Sequence, residues 1–89
     1  MKTFLFEIIT PEKVFYKDNI VSLVLPAHEG SMGVLAGHMK MIVQVMPGKL
    51  HVRKDRDAEA FFVVENEGIA EINPDRVVLL CEKIETITT

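Results

Sequence analysis

The feature that most restricts the fold of this chain is that its apolar residues come in short runs, each ended by a turn signal. Proline, glycine and asparagine mark these breaks at 10–12, 46–49, 66–68 and 73–75. Runs of this length suit strands, because an isolated helix that short is marginal in water. Val, Ile and Thr contribute 24 residues against five Ala, which also favours strands. The sequence therefore predicts an all-β domain.

The pattern places the strands individually. We expect them at 3–9, 14–16, 20–25, 33–35, 40–45, 50–54, 59–65, 69–72 and 77–81. Residues 17–19 are predicted as a turn that pairs the second strand with the third, Pro26 as the end of the third, and 46–49 as a type II turn. Residues 82–89 form a last edge strand or a fraying tail. Eight to ten short strands predict one sandwich or barrel over 1–89.

Composition excludes several classes of protein. The net charge of −3 and the pI near 5.5 argue against a nucleic-acid binder, which needs a basic face. No run approaches the roughly 20 apolar residues of a membrane-spanning helix, and the N-terminus reads as a strand rather than a signal peptide. Cys81 is the only cysteine, so no internal disulfide forms, and its apolar setting indicates a buried small hydrophobe.

The stretch EGSMGVLAGHMKM, residues 29–41, is glycine-rich and soft, and we interpret it as a loop. Its glycine spacing matches neither a dinucleotide fingerprint nor a phosphate loop. His28, Glu29 and His38 fit no zinc spacing, and no serine sits in a nucleophile elbow. Catalytic, metal and nucleotide sites are therefore not expected. Methionines adapt well to contact surfaces, so we interpret this segment as a surface for a partner.

An ordered series of residues then resembles a known family. It runs from the Thr-Pro-Glu-Lys-Val of 10–14 through the Leu-Val-Leu-Pro of 23–26 to the Glu-Gly-x-x-Gly-Val-Leu-x-Gly-His of 29–38. The Pro-Gly-x-Leu of 47–50 and the Gly-x-x-Glu-Ile-x-Pro-x-x-Val of 68–77 continue it. This series, over about residues 3–81, resembles the epsilon subunit of F-type ATP synthases. The resemblance implies a flattened β-sandwich of two antiparallel sheets.

The resemblance also implies a function and partners. It implies a non-catalytic rotor subunit of the central stalk, without a cofactor, that couples the gamma subunit to the membrane ring of c subunits during proton-driven ATP synthesis. Glu29, Gly30, Ser31 and Met32 would approach the ring, and His38 with Met39 would lie near gamma and the ring junction. Localisation would be peripheral, on the cytoplasmic or equivalent face of the membrane, with membrane contact only through the complex.

The sequence departs from the family pattern in places. Ala36 stands where proline is usual, Met39 and Lys40 replace Ala-Pro, and residues 66–68 read Asn-Glu-Gly instead of Ser-Gly-Gly. Family members commonly continue into two C-terminal helices, whereas this sequence stops at Thr89. We therefore expect a naturally short subunit that cannot act as the family's extended inhibitor. A free-standing β-sandwich binding another protein, and a small enzyme using His38, remain alternatives.

Overall fold

The alternating apolar residues form ten β-strands in the computed structural model, which describes residues 2–87. No helix occurs within those residues, and the predicted all-β class and strand number are confirmed. The strands are β1 Phe4–Ile9, β2 Val14–Ile20, β3 Ser22–Ala27, β4 Gly30–Leu35, β5 Met41–Val45, β6 Gly48–Arg53, β7 Glu59–Val64, β8 Gly68–Asn73, β9 Arg76–Leu80 and β10 Ile84–Ile87. Of the domain predicted over 1–89, residues 1, 88 and 89 lie outside the described part.

The strands form two layers of five that meet at one point. The first layer has the order β4-β3-β6-β7-β10, and the second has the order β5-β8-β9-β1-β2. Ala27 of β3 pairs with Val45 of β5, and this pair joins the two layers. All pairs are antiparallel except β1 with β9, which run parallel. The arrangement agrees with the predicted flattened sandwich.

The core lies between the layers and follows the period of two that strands impose. Phe4, Phe6 and Ile8 of β1 are buried in this core, and Leu50 and Val52 of β6 are buried on the inner side of the other layer. Tyr16 and Phe62 bring the layers into direct contact, with ring centroids 5.0 Å apart in an edge-to-face arrangement. Full burial of an aliphatic or aromatic side chain contributes about 1.5–3 kcal/mol, so this core is the main source of stability.

The prediction of a turn at 17–19 is wrong. Strand β2 continues through these residues to Ile20 and pairs with β1, not with β3. Polar residues are tolerated there because β2 is an edge strand: Lys17 lies across from Glu7, and Asp18 contacts Lys54 at 3.2 Å. The chain turns instead around the bend at Val21.

Two predictions that rest on proline need correction. Pro26 lies inside β3 rather than ending it. Its carbonyl accepts a hydrogen bond from the Met46 N–H, so the missing N–H of Pro26 would also point to that side of β3. Strand β3 pairs with β6 at residues 22–24, so the proline removes no hydrogen bond between these two strands. The prediction of a type II turn at 46–49 is also wrong. Gly48 already belongs to β6 and has φ of 157°, far from the roughly 80° of such a turn. Strands β5 and β6 are not paired, so this segment carries the chain from one layer to the other.

The break predicted at 73–75 and the last strand predicted after residue 81 are both present. Pro74 and Asp75 form the tight turn between β8 and β9, closed by the pair Asn73 and Arg76. The charged segment 54–57 forms the tip between β6 and β7, where the Lys54 N–H donates to the Ala58 carbonyl. Strand β10 is the predicted last edge strand and pairs with β7. The end of that predicted tail, at 88 and 89, lies outside the described residues.

Candidate partner-contact surfaces

The hairpin of β3 and β4 ends in an exposed tip. His28 and Glu29 form its two-residue turn, and Ala27 pairs with Gly30 below it. Gly30 has φ of 121°, a conformation that favours glycine, while a Cβ there would meet no atom within 4 Å. Glycine is therefore needed for the backbone and not for space. The tip presents exposed polar groups on a rigid support.

Met32 and Ser31 follow the tip on β4. Ser31 is exposed on the outer side, whereas Met32 is half-buried and packs against the core opposite Leu25. The interpretation of 29–41 as a loop is therefore wrong for its first half, because residues 30–35 form a complete strand and not only 33–35. A rigid hairpin thus carries all four residues expected to contact the ring.

The segment after β4 forms a second exposed cluster. The Gly37 N–H donates to the Pro74 carbonyl at 2.7 Å, with Gly37 at φ of 85°, so this segment is tied to the β8–β9 turn. The His38 ring nitrogen Nδ1 lies 2.8 Å from its neighbour's carbonyl oxygen at Met39. The Met39 side chain is 71% exposed. This cluster is a fixed corner of the sandwich with a soft apolar side chain at its surface.

The structure separates the two groups of predicted contact residues. Gly30 and Leu35 bound β4, and a strand rises about 3.3 Å per residue, so about 17 Å separates the tip from the start of the second cluster. Glu29, Gly30, Ser31 and Met32 lie at one end of the sandwich. His38 and Met39 lie at the other end. One small partner loop cannot contact both groups.

A third surface, which the sequence reasoning missed, lies on the outer side of the second layer. We call it the apolar face, and it consists of Ile9, Ile42, Ile69 and Leu80. Ile42, Ile69 and Leu80 are 71%, 52% and 50% exposed. Ile69 lies directly across from Leu80, and Leu80 from Ile9, so their side chains are neighbours on one side of the sheet.

The apolar face contains two adjoining grooves. One groove, of about 380 Å³, is lined by Ile9, Thr10, Pro11, Glu67, Gly68, Ile69, Leu80, Cys81 and Glu82. The second groove, of about 400 Å³, is lined by Ile42, Gln44, Glu67, Gly68 and Ile69. The two grooves share residues 67–69 and therefore adjoin. Exposed apolar side chains that lie together on one side of a sheet are the kind of surface that a protein partner can cover.

Beside the apolar face, a buried carboxylate forms an ion pair with an exposed guanidinium. The Glu7 side chain is only 8% exposed, and its Oε1 atom lies 2.7 Å from Nη2 of Arg76. The contact is a close ion pair rather than an aligned hydrogen bond, since Oε1 has no hydrogen-bond partner of good geometry. Arg76 therefore neutralises a carboxylate that would otherwise be buried alone, which is strongly unfavourable.

The outer side of the first layer differs from the apolar face, because its charged and aromatic side chains contact one another. His51 stacks on Phe61 with ring centroids 4.5 Å apart, and Lys49 lies over the same ring at 4.6 Å. Glu59 accepts contacts from both His51, at 2.8 Å, and Arg53, at 2.7 Å. Charges and aromatic surface are already paired here. This side therefore has less to gain from a partner than the apolar face.

Two side chains of the core region, Cys81 and Tyr16, lie in surroundings that favour their protonated forms. Burial raises the pKa of the Cys81 thiol, which keeps it protonated and weakly nucleophilic. Burial, followed by the nearby Asp18 charge, raises the pKa of Tyr16 to about 12. Within residues 2–87 no three His, Cys, Asp or Glu side chains gather in a way that could hold a metal ion. Nor does that part of the chain contain a helix long and apolar enough to cross a membrane.

A signal for the apolar face was present in the sequence. The alternation in β5 directs Ile42 outward, and residues 77–80 are apolar at every position, so one side of β9 had to present apolar groups outward. Strands that are apolar on both sides are usually covered on both sides. What the sequence could not indicate is that β5, β8, β9 and β1 are neighbours, which brings these side chains together.

Comparison with known proteins gives a consistent result. A family described as ATP synthase, Delta/Epsilon chain, beta-sandwich domain, matches residues 3–87. An ATP synthase epsilon chain of Hydrogenobaculum sp. (strain Y04AAS1) is 36% identical over 77 residues, which are 86% of this chain and 54% of that relative. One from Caldicellulosiruptor saccharolyticus is 32% identical over 85 residues, covering 96% of this chain and 61% of the relative. The chain thus spans little more than half the length of these relatives.

Solved structures show the same fold. A chain of the Euglena gracilis mitochondrial ATP synthase, solved by cryo-EM with OSCP, F1 and c-ring, superposes with a TM-score of 0.87 at 22% identity, covering 94% of this chain and 53% of that one. A chain of the Tetrahymena thermophila mitochondrial ATP synthase central stalk and c-ring gives 0.77 at 12% identity, covering 93% and 66%. At such identities the likeness concerns the fold alone.

Proposed function

The chain belongs to the family of ATP synthase delta and epsilon chains, and from this premise we propose that it is a central-stalk subunit that couples gamma to the c-ring. The observation that supports this function best is the apolar face, because a domain built only to be stable on its own has no need of such exposed apolar surface. In this proposal the apolar face, together with His38 and Met39, contacts the gamma subunit.

The tip of the β3–β4 hairpin would meet the ring. Glu29, Gly30 and Ser31 are exposed there, and Met32 anchors them to the core. Small and polar groups suit contact with the polar loops of a ring, because they let two backbones approach closely. The subunit would reach the membrane only through the complex, as a peripheral component that takes no part in bond making or breaking.

The sandwich itself has a mechanical role in this proposal. To transmit torque from the ring to gamma, a domain must be rigid. Two packed β-layers meet this requirement, because close-packed protein interiors resist deformation. The two ends of β4 place the tip and the His38 corner about 17 Å apart. The domain would therefore act as a spacer, with distinct surfaces for the ring and for gamma.

The test combines Glu29→Ala, Ser31→Ala and Met32→Ala in one variant. Interface energy concentrates in a few residues, so a triple change is a fairer probe than single ones. We expect proton pumping coupled to ATP hydrolysis in reconstituted membranes to fall, while the variant still folds and binds gamma. The matched control carries Arg56→Ala and Asp57→Ala in the exposed β6–β7 turn, at the opposite end of the sandwich. Coupling unchanged in the triple variant would contradict the assignment of the tip.

A further inference from the structure

Strand β4 is an edge strand that lacks the usual protection against pairing. Within residues 2–87 its only strand partner is β3. The edge strands β2 and β10 carry charges, with Lys17 and Asp18 on β2 and Glu85 on β10, whereas β5, which pairs with β3 at Val45 alone, carries none. The sequence of β4, GSMGVL, contains no charged residue and no proline. Edges of folded proteins are normally protected by such residues, so an unprotected edge indicates a partner strand.

The register shows which backbone groups are free. Ala27 and Gly30 close a two-residue turn and so form a hydrogen-bonded pair. Since hydrogen-bonding direction alternates along an antiparallel strand, Met32 and Val34 also direct their backbone groups to β3. Ser31, Gly33 and Leu35 direct theirs away from it. Within residues 2–87, the Leu35 carbonyl is the only one of these groups that takes part in a backbone hydrogen bond, which it accepts from the His38 N–H at 3.1 Å.

The side chains of the same residues leave room for an added strand. Ser31 and Leu35 are exposed, with Leu35 at 62%, and a Cβ on Gly33 would meet no atom within 4 Å. A neighbouring strand with a bulky side chain opposite Gly33 would fill this empty space, as aromatic residues do beside glycines in sheets. The edge therefore suits an extended segment with an aromatic or β-branched residue at its centre.

We propose that β4 accepts an extended main-chain segment of the gamma subunit as an added strand of the first layer. This inference rests on the proposed function and adds to it the way in which the partner binds. Strand β4 connects the tip to the corner at His38 and Met39, both of which are contact regions in that proposal. A partner segment that follows the sandwich between these regions lies along the free edge.

A second copy of this chain fits the edge less well. The two-fold pairing that uses all three outward-directed residues places Ser31 against Leu35 and Gly33 against Gly33. Two opposed glycines leave the centre of the joint without side-chain contact, and such contacts are the main source of stability between paired strands. The occupant is therefore a different sequence.

Backbone amide exchange gives the most direct test. The full chain is mixed with the gamma subunit of the same source, and exchange of individual amides is followed by NMR. We expect at least about tenfold slower exchange at Ser31, Gly33 and Leu35, whose N–H groups gain acceptors. Met32 and Val34 are already bonded to β3 and change less. Gamma binding without this alternating protection overturns the added strand while leaving the proposed function intact, and no gamma binding at all overturns both.

A pair of variants tests the same point by affinity. Gly33→Pro removes an outward N–H and places a ring in the path of the new strand, yet edge strands tolerate proline where the N–H faces solvent. Gly33→Ala is the control, because it keeps the N–H and its Cβ meets nothing. We expect the proline variant to bind gamma at least about tenfold more weakly than the alanine variant. Equal affinities, or a chain that dimerises through β4 without gamma, would overturn the proposal.

Discussion

Gly68→Ala tests whether β8 approaches the end of β9 as closely as the structure has it. Gly68 begins β8 and pairs with Val45, the residue that joins the layers through Ala27. A Cβ at Gly68 would lie 2.6 Å from the carbonyl oxygen of Leu80 and 3.1 Å from Cβ of Cys81. The first of these atoms is backbone and cannot rotate away. The β8–β9 pairing must therefore shift to admit a single methyl group.

The expected magnitude follows from two opposing effects. Overpacking a well-packed site destabilises by about 1–3 kcal/mol. Replacing glycine by alanine also restricts the unfolded chain, which returns about 0.4–1 kcal/mol. The net loss in the free energy of unfolding is about 1–2 kcal/mol. For a domain of this size each kcal/mol moves Tm by about 4–8 °C, so Tm should fall by about 5–15 °C.

Thermal unfolding followed by circular dichroism measures this shift. Gly33→Ala is the matched control, since the same substitution there meets no atom within 4 Å and leaves an ordinary φ. Its Tm should stay level or rise slightly. If Gly68→Ala were as stable as Gly33→Ala, the close approach of β8 to the end of β9 would be wrong.

Three further predictions follow from particular contacts. Tyr16 is the only tyrosine and no tryptophan is present, so tyrosinate absorbance should report its pKa of about 12 in the folded state. Because this pKa is raised, the stability that Tyr16 contributes should be fully present below about pH 10 and be lost as pH rises towards 12. Titration of the tyrosine near pH 10 in the folded protein would contradict this. Ile42→Ser with Leu80→Ser should weaken gamma binding by about tenfold or more without lowering Tm, and unchanged affinity in calorimetry would remove the apolar face from the contact. Arg76→Ala should lower the free energy of unfolding by about 1–3 kcal/mol by leaving Glu7 unpaired, more than Arg76→Lys; equal stability of the two in urea unfolding would speak against the ion pair.

Local sequence patterns predicted most of the strands because each depends only on neighbouring residues. The alternation of Leu50 and Val52 with outward polar residues, and the Asn-Pro-Asp turn before β9, illustrate this. The failures occurred where tertiary contacts overrule local preference. Lys17 and Asp18 form strand because β1 offers a paired edge and Lys54 offers an opposite charge.

The contact surfaces were predicted less completely for a related reason. The tip of the β3–β4 hairpin and the His38 corner are close in sequence, but β4 separates them in space. The apolar face has the opposite character, since Ile42, Ile69 and Leu80 are distant in sequence and neighbours in the sheet. The glycines of 29–41 also favoured a loop, whereas pairing with β3 makes residues 30–35 a strand. Which of these residues are neighbours in space depends on the order of the strands in the sheet.

The central claim is that this chain couples gamma to the c-ring, and site-directed crosslinking within the purified ATP synthase of the source organism tests it most directly. Cysteine in place of Glu29 probes the tip, and cysteine in place of Leu80 probes the apolar face; Cys81 is buried and is replaced by serine in both. We expect crosslinks from position 29 to the c subunit and from position 80 to gamma. A complex purified with gamma and the ring but without this chain, or crosslinks from both positions to other proteins, would contradict it.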